Sequence, residues 1–199
     1  MLFVAVPVSL FLSPSRLLVL VCLWATAVYA AFILSRLPGF SWRQAWRGEG
    51  WNPRDFKIVV WRFILSTIGI IFLACLIRPD RLFVFPAQRP FFWLLVMVLY
   101  PLLSALPQEV IFRTFFFRRY ACLFPSTWLM LMVNAVLFGF IHIVFHNPVS
   151  PFLSLLCGFF LGGSYLSHQS LKKASIEHAL YGDMVFTVGL GLYFLVHGS

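Results

Sequence analysis

Acidic, basic and imidazole side chains occur in three strongly apolar segments of this sequence, at spacings that suit acid–base chemistry. The segments read "SALPQEVIFRTFFFRRY" (104–120), "FGFIHIVFHN" (138–147) and "EHALYGDMVF" (177–186). Ionisable groups inside membrane spans cost about 2.5–3.5 kcal/mol on insertion scales, so they are functional-site candidates by default. The candidates are Glu109 and Arg113 in the first segment, His142 and His146 in the second, and Glu177, His178 and Asp183 in the third.

The chemistry open to this set is hydrolysis by an activated water. A carboxylate and an imidazole that reach one water can take its proton and make it a nucleophile at neutral pH. A further imidazole can donate to the oxyanion that forms when the water attacks an amide. No serine or cysteine lies in a G-x-S-x-G or comparable setting, so the sequence does not indicate a covalent nucleophile.

The spacing within the first two segments predicts how these side chains lie on their helices. Pro107 suits the first turn of a helix, where its missing N–H costs nothing. Glu109 would then lie in that turn, where the helix dipole favours a carboxylate by about 0.3–1 kcal/mol. Glu109 and Arg113 are four residues apart and share a face, as do His142 and His146. The alternative for the first pair is a structural ion pair in a kinked helix.

The composition places the chain in a membrane. Of its 199 residues, 61% are hydrophobic and only 11% are charged, whereas soluble domains have about 45–50% apolar and about 25% charged residues. The net charge of +9 comes from basic residues between apolar runs, which favours anionic lipid headgroups over nucleic acid as the partner. The four cysteines are scattered without a CxxC pair, which is typical of reduced core residues.

Apolar runs of about 20 residues predict the spans. We expect an all-α polytopic membrane bundle of about six transmembrane helices plus a short N-terminal apolar segment, in one domain over residues 1–199. The predicted spans are 17–34, 57–77, 91–105 with a restart or kink at Pro107, 126–145, 151–167 and 175–196, after an apolar segment at 1–12. That segment has no preceding basic residue and no small-residue cleavage site, so a removable signal peptide is not expected.

Basic residues predict the orientation of the bundle, because cytoplasmic loops carry an excess of Lys and Arg. The loops after the first, third and fifth spans hold most of them, including Lys172 and Lys173. This distribution places those loops in the cytoplasm and the C-terminus outside. The loop over 78–90 holds three arginines and opposes the assignment. Arg62 lies near the cytoplasmic end of the second span, from which its side chain can extend to the interface.

The three segments resemble the motifs of the CPBP family, the CAAX prenyl endopeptidases and bacteriocin-processing enzymes, which are regarded as glutamic-type intramembrane proteases. The family pattern is Glu-Glu-x-x-x-Arg, then Phe-x-x-x-His, then His-x-x-x-Asn or a similar residue. This chain matches with "QEVIFR", "FGFIH" and "HALYGD", in the same order over residues 107–183. The resemblance implies a protease without a cofactor in a bacterial or archaeal plasma membrane. It also implies a membrane-bound protein or lipidated peptide as substrate.

Two positions depart from the family pattern. Gln108 stands where the family has its first acid, and Gly182 stands where an asparagine is expected. In the family the glutamate and the second-motif histidine activate water, and the third-motif histidine and asparagine form the oxyanion hole. The resemblance therefore implies that His142 activates water and that His178 stabilises the oxyanion. Since an amide cannot act as a base, Glu109 would replace the missing acid, helped by Gln108 as a hydrogen-bond donor.

The remaining candidates are expected to support these groups. Arg113 would orient Glu109 and hold it ionised. His146 would assist or orient the site, Asn147 would supply the missing amide donor, and Asp183 would fix the tautomer of a histidine.

The depths of these residues in straight helices do not match. Counted at about 1.5 Å per residue, Glu109 lies in the inner half of the membrane, His142 in the outer half and His178 near the inner surface. Helix tilt, breaks at Pro101 and Pro107, or a later start of the fourth span must close a gap of roughly 10 Å.

Three other functions remain open. A zinc site would use His142 and His146 with Glu109 or Asp183, although no glutamate follows the first histidine as in H-E-x-x-H. A non-catalytic scaffold or immunity protein would keep the fold, which Gln108 favours. A small transporter or proton conductor would use the same buried groups, but the sequence has no internal repeat.

Overall fold

A computed structural model describes residues 2–12, 15–48 and 53–195, and the regular structure within these ranges is entirely helical. The helices are α1 (Leu2–Leu12), α2 (Arg16–Arg36), α3 (Trp42–Arg47), α4 (Pro53–Ile77), α5 (Val84–Gln88), α6 (Pro90–Leu123), α7 (Thr127–Phe140, continued by a 3-10 segment at Ile141–Phe145), α8 (Val149–His168) and α9 (Leu171–Thr187). Short 3-10 turns lie at Pro79–Arg81 and Leu190–Phe194. The predicted all-α class is confirmed.

Five of these elements are long and apolar enough to cross a membrane: α2, α4, α6, α7 with its 3-10 continuation, and α8. The spans predicted at 17–34, 57–77, 126–145 and 151–167 each agree with one of them to within a few residues. The N-terminal apolar segment forms α1, which has 11 residues and is shorter than a span.

The third span differs from the prediction, because α6 does not restart at Pro107. It runs for 34 residues, and residues on both sides of its π-helical turns at Pro101–Ala105 and Val110–Phe115 keep right-handed helical angles. Pro107 cannot donate to the carbonyl of Leu103 four residues earlier. The indole of Trp24 donates to that carbonyl instead, at 3.0 Å, so the helix continues. Glu109 therefore lies in mid-helix, without the predicted stabilisation from a helix N-terminus.

The sixth predicted span is not one continuous helix. The α9 helix has 17 residues and ends at Thr187, and Gly189 follows with a φ of +92°. That backbone angle suits glycine, and a side chain there would also meet the backbone of Arg81. The predicted end of this span at Val196 and the tail after it lie outside the described residues, as do Met1 and residues 49–52 of the predicted polar connection.

The loops after the first and fifth spans, which the basic residues assign to one side of the membrane, lie at one end of the bundle. Ser170, just before α9, donates to the carbonyl of Trp46 at 3.0 Å. Lys173 contacts Asp55 at 3.1 Å and is buried. It is therefore part of an ion pair, whereas the sequence predicts an exposed loop cation. Which end faces the cytoplasm stays a prediction.

The loop between α4 and α5 carries less net charge than its arginines indicate. Arg78 and Arg81 contact Asp80 at 2.8 and 3.3 Å. The hydrogen bonds from Arg78 lower the pKa of Asp80 to about 2, so this carboxylate stays ionised and offsets part of the positive charge.

Small residues hold the central helices close together. On α2, Ala27, Ala30 and Leu34 pack against the π-helical part of α6. Between α7 and α8, a side chain at Gly158 would meet Phe138, and one at Gly139 would meet Leu155. Close approach through small residues is typical of membrane helix pairs, and here it brings α2 against α6 and α7 against α8.

Candidate active site

The first candidate pair is a fully buried ion pair that reaches a third helix. Arg113 Nε donates to Glu109 Oε2 at 3.0 Å, and both side chains have 0% exposure. The other carboxylate oxygen, Oε1, lies 2.9 Å from Nδ1 of His178 on α9. Both oxygens of Glu109 are thus engaged, and one of them holds the imidazole of the third motif.

The guanidinium of Arg113 is itself fixed by α7. It donates to the side-chain oxygen of Asn134 and lies 5.0 Å from the ring centre of Phe138, in a cation–π contact. Asn134 in turn donates to the carbonyl of Phe112 at 2.8 Å. The sequence reasoning missed Asn134, although it lies two helical turns before His142 and Phe138 lies between them.

His142 is held by its own helix end. Where α7 tightens into the 3-10 segment, His142 Nδ1 lies 2.7 Å from the carbonyl oxygen of Phe138. A carbonyl only accepts, so this nitrogen carries the proton and Nε2 is left with its lone pair. The Phe138 ring contacts both candidate imidazoles, with centroid distances of 5.1 Å to His142 and 5.6 Å to His178.

His142 and His178 line one cavity of about 490 Å³. Its walls come from α4, α6, α7, α8 and α9 and are mostly apolar, with Tyr100, Ser104 and Gln108 among the polar members. The depth mismatch expected for straight helices is therefore absent: the described helices bring Glu109 to His178 and both histidines to one space. Glu109 itself lies behind the wall, since it has no exposed surface.

Gln108 occupies the wall position next to Glu109. Its Nε2 donates to Ser104 at 2.9 Å, and its Oε1 is buried with no hydrogen-bond partner among the described residues. The side chain is 8% exposed and lines both the main cavity and a second one of about 350 Å³ beside α1 and α2, as His142 does. The amide at the position of the family's first acid is thus the group that faces the cavities.

The second departure from the family pattern has a neighbour that explains it. A side chain at Gly182 would collide with the ring and hydroxyl of Tyr100 on α6. Tyr100 lines the cavity and packs edge-on against His178, with ring centroids 6.0 Å apart. A phenol therefore lies where the family has an asparagine side chain. No feature of the local sequence signals this contact, which joins residues more than eighty positions apart.

Three sequence candidates lie apart from this cavity wall. The helical face predicted for His142 and His146 does not form, because His146 has a left-handed φ of +55°; its ring stacks on Phe11 at 4.3 Å. Asn147 binds the carbonyls of Phe145 and Tyr193 at 3.0 and 2.8 Å, which orders a loop.

The sequence predicts that Asp183 fixes the tautomer of a histidine, but it does not do so for either cavity histidine. Glu109 and the Phe138 carbonyl occupy the two Nδ1 atoms, and Asp183 Oδ1 has no hydrogen-bond partner among the described residues.

The zinc alternative depends on His142 and His146 lying together with an acid. No group of three or more His, Cys, Asp or Glu side chains in the described ranges could hold a metal ion, and the separation of His146 from His142 removes the pair on which that alternative depends.

Comparison with known proteins gives one family. Residues 90–182 match the family model of Type II CAAX prenyl endopeptidase Rce1-like proteins. Neither the curated proteins nor the solved structures gave a match. The matched range covers a little under half of the chain and contains the ion pair, both cavity histidines and Gly182. Together with the apolar spans, it identifies an integral membrane protein.

Proposed function

Taking residues 90–182 as the CPBP-type core of the chain, we propose that the protein is an intramembrane endopeptidase. It would hydrolyse a peptide bond near the membrane-embedded or lipidated C-terminus of a protein substrate. The observation that carries the proposal is the cavity with two imidazoles in its wall, each held through Nδ1. Because Nδ1 is engaged in each ring, Nε2 is the nitrogen left for a water, and the proposal requires one water to reach both Nε2 atoms.

The base of the reaction is His178, with Glu109 as its positioning residue. The Glu109 carboxylate accepts from Nδ1, which fixes the tautomer with a basic Nε2 and stabilises the imidazolium that forms. This role fits the complete burial of Glu109 better than direct contact with water. His142 Nε2 accepts the other hydrogen of the water and orients its oxygen toward the substrate carbonyl.

The bond changes follow from this placement. The water oxygen attacks the carbonyl carbon while its proton passes to His178 Nε2. The carbon–nitrogen bond then breaks, and the imidazolium returns the proton to the leaving amine. The Tyr100 hydroxyl, beside Gly182 and His178, donates to the oxyanion in place of the family's asparagine.

Substrates can enter this cavity from the lipid. Helices α4 and α8 both line it but hardly contact each other. Their side chains at this gap, including Leu65, Phe72 and Phe152, are apolar and exposed. Such an opening suits an apolar, membrane-embedded peptide segment.

The direct test uses the purified protein in lipid nanodiscs with a panel of apolar peptides, with and without an S-farnesyl cysteine near a free C-terminus. Mass spectrometry then measures cleavage. We expect His142→Ala to lower the rate about a hundredfold or more, because it removes an acceptor for the water. His146→Ala is the matched control, since His146 stacks on Phe11 outside the cavity wall, and it should keep the rate. Equal rates for the two variants would refute the assignment of His142.

Tyr100→Phe should lower kcat about 10²- to 10³-fold with little change in KM or thermal stability, because it deletes a single oxyanion donor. Steady-state kinetics on the cleaved peptide measures the effect. Tyr165→Phe removes the hydroxyl of a buried tyrosine that stacks on Phe117, and it serves as the control. An increase in KM with kcat unchanged would show that the phenol binds substrate and does not act on the oxyanion.

A non-catalytic membrane scaffold is the second candidate, and one observation favours it: an amide, Gln108, lines the cavity while the acid beside it is enclosed. Gln108→Glu should raise the cleavage rate about tenfold or more, because it adds a carboxylate to the cavity that His142 also lines. If only this variant cleaves the peptides, the scaffold function is correct. An unchanged rate would mean that position 108 takes no part in activating water.

A further inference from the structure

The sequence predicts that the side chain of Arg62 on α4 extends to the membrane interface. In the structure it turns into the bundle instead. Its side chain keeps 32% exposure and lies 3.8 Å from Glu177 on α9. It also lines the main cavity. Counted from Arg54 at about 1.5 Å per residue, Arg62 lies roughly 12 Å along the helix from its first residues.

The contact of Arg62 with Glu177 is the loosest that this carboxylate makes. Glu177 accepts hydrogen bonds from the hydroxyls of Ser164 and, at 3.2 Å, Tyr181. The 3.8 Å separation from Arg62 is beyond hydrogen-bond range. A guanidinium has five N–H donors in a planar fork, so Arg62 keeps donors for a second anion.

Apart from Glu177, which contacts Arg62 from behind the wall, the cavity lining offers that anion no competing acid. Arg62 is the one Arg or Lys in it, and no Asp or Glu of the described residues lines it. We propose that Arg62 binds the C-terminal carboxylate of the peptide that enters this cavity, since its fork matches a carboxylate bidentately. This inference rests on the proposed function.

Arg62 lies close to His178, the base of the proposed reaction. Glu177, which Arg62 contacts, precedes His178 in α9, and the pairs Glu177–Tyr181 and His178–Gly182 form neighbouring stripes of that helix. The carboxylate is therefore held beside the stripe that carries the imidazole. An extended peptide advances about 3.3 Å per residue, so the hydrolysed bond falls within a few residues of the C-terminus.

The test measures binding separately from cleavage. Full-length protein in phosphatidylcholine nanodiscs is titrated with one apolar peptide ending in a free carboxylate and with the same peptide ending in a carboxamide. We expect the carboxylate form to bind roughly ten- to hundredfold more tightly. Arg62→Gln should abolish this preference, and Arg62→Lys should keep part of it, because it retains the charge but loses the fork.

Arg54→Gln is the matched control, because Arg54 lies on the same helix and does not line the cavity; it should keep the preference. Equal binding of the two peptides by the wild type, or an undiminished preference in Arg62→Gln, would overturn the inference. So would a result in which Arg62→Gln changes only the response to added phosphatidylglycerol, which would assign Arg62 to a lipid phosphate. If the protein prefers the carboxylate peptide but cleaves nothing, the Arg62 site is supported and the proposed peptidase activity is refuted. If it cleaves peptides without this preference, the peptidase activity is supported and the Arg62 site is refuted.

Discussion

Glu109→Gln should lower the free energy of unfolding by about 3–5 kcal/mol, the usual cost of removing one partner from a buried ion pair. The reason is that Arg113, with 0% exposure, would keep its charge with only neutral groups beside it, namely the amides at positions 109 and 134 and the Phe138 ring. Cleavage should also stop, because His178 loses the group that fixes its tautomer. Unfolding by denaturant in detergent micelles, together with the peptide assay, measures both effects.

The double variant Glu109→Gln, Arg113→Gln separates the two effects. With both charges removed, most of the lost stability should return, since no uncompensated charge remains buried. Activity should not return, because the amide introduced at position 109 offers His178 no charge. If the single variant were as stable as the wild type, the ion pair would not hold the bundle together, and the position of Glu109 behind the cavity wall would need another explanation.

The second large effect is expected for His178→Asn. Its amide can still donate to Glu109 Oε1 from about the place of the imidazole Nδ1, so the fold should remain nearly as stable. No atom replaces Nε2, and the cleavage rate should fall about 10²- to 10⁴-fold, the usual contribution of a general base. The loss should appear in kcat, which single-turnover measurements on the cleaved peptide would establish.

His146→Asn provides the comparison for that variant, because it makes the same substitution on a ring outside the cavity wall. Retention of the wild-type rate by His178→Asn would mean that another group takes the proton. His142 would then be the first to test, because its ring is the other imidazole that lines the cavity.

The sequence predicts the interactions that are local along a helix, and it fails where partners come from distant segments. Glu109 and Arg113 form the predicted pair because residues four apart share a helical face. The contact of Glu109 with His178 joins residues 69 positions apart, and it depends on how α6 and α9 pack. Tyr100 beside Gly182 and Asn134 beside Arg113 are of the same kind.

Two local predictions failed because the helix geometry is not uniform. The α7 helix tightens at Ile141 and leaves the helical region at His146, so a spacing of four no longer aligns two imidazoles. Pro148 follows closely, and proline disfavours helical geometry in the preceding residue; this signal could have found the end. At Pro107 the reverse occurred: the helix continued because Trp24, on another helix, satisfied the carbonyl that proline leaves free.

The π-helical turn at Pro101–Ala105 sets the relative rotation of Tyr100 and Glu109 about one axis. If the same residues formed an ordinary α-helix, Tyr100 would swing by about 100° relative to the ion pair, because a π turn holds one residue more than an α turn. The phenol would then leave Gly182. A chain shortened by one residue within this turn should instead keep the phenol beside Gly182, because a plain α-helix with one residue fewer holds the two flanking segments in nearly the same relative rotation.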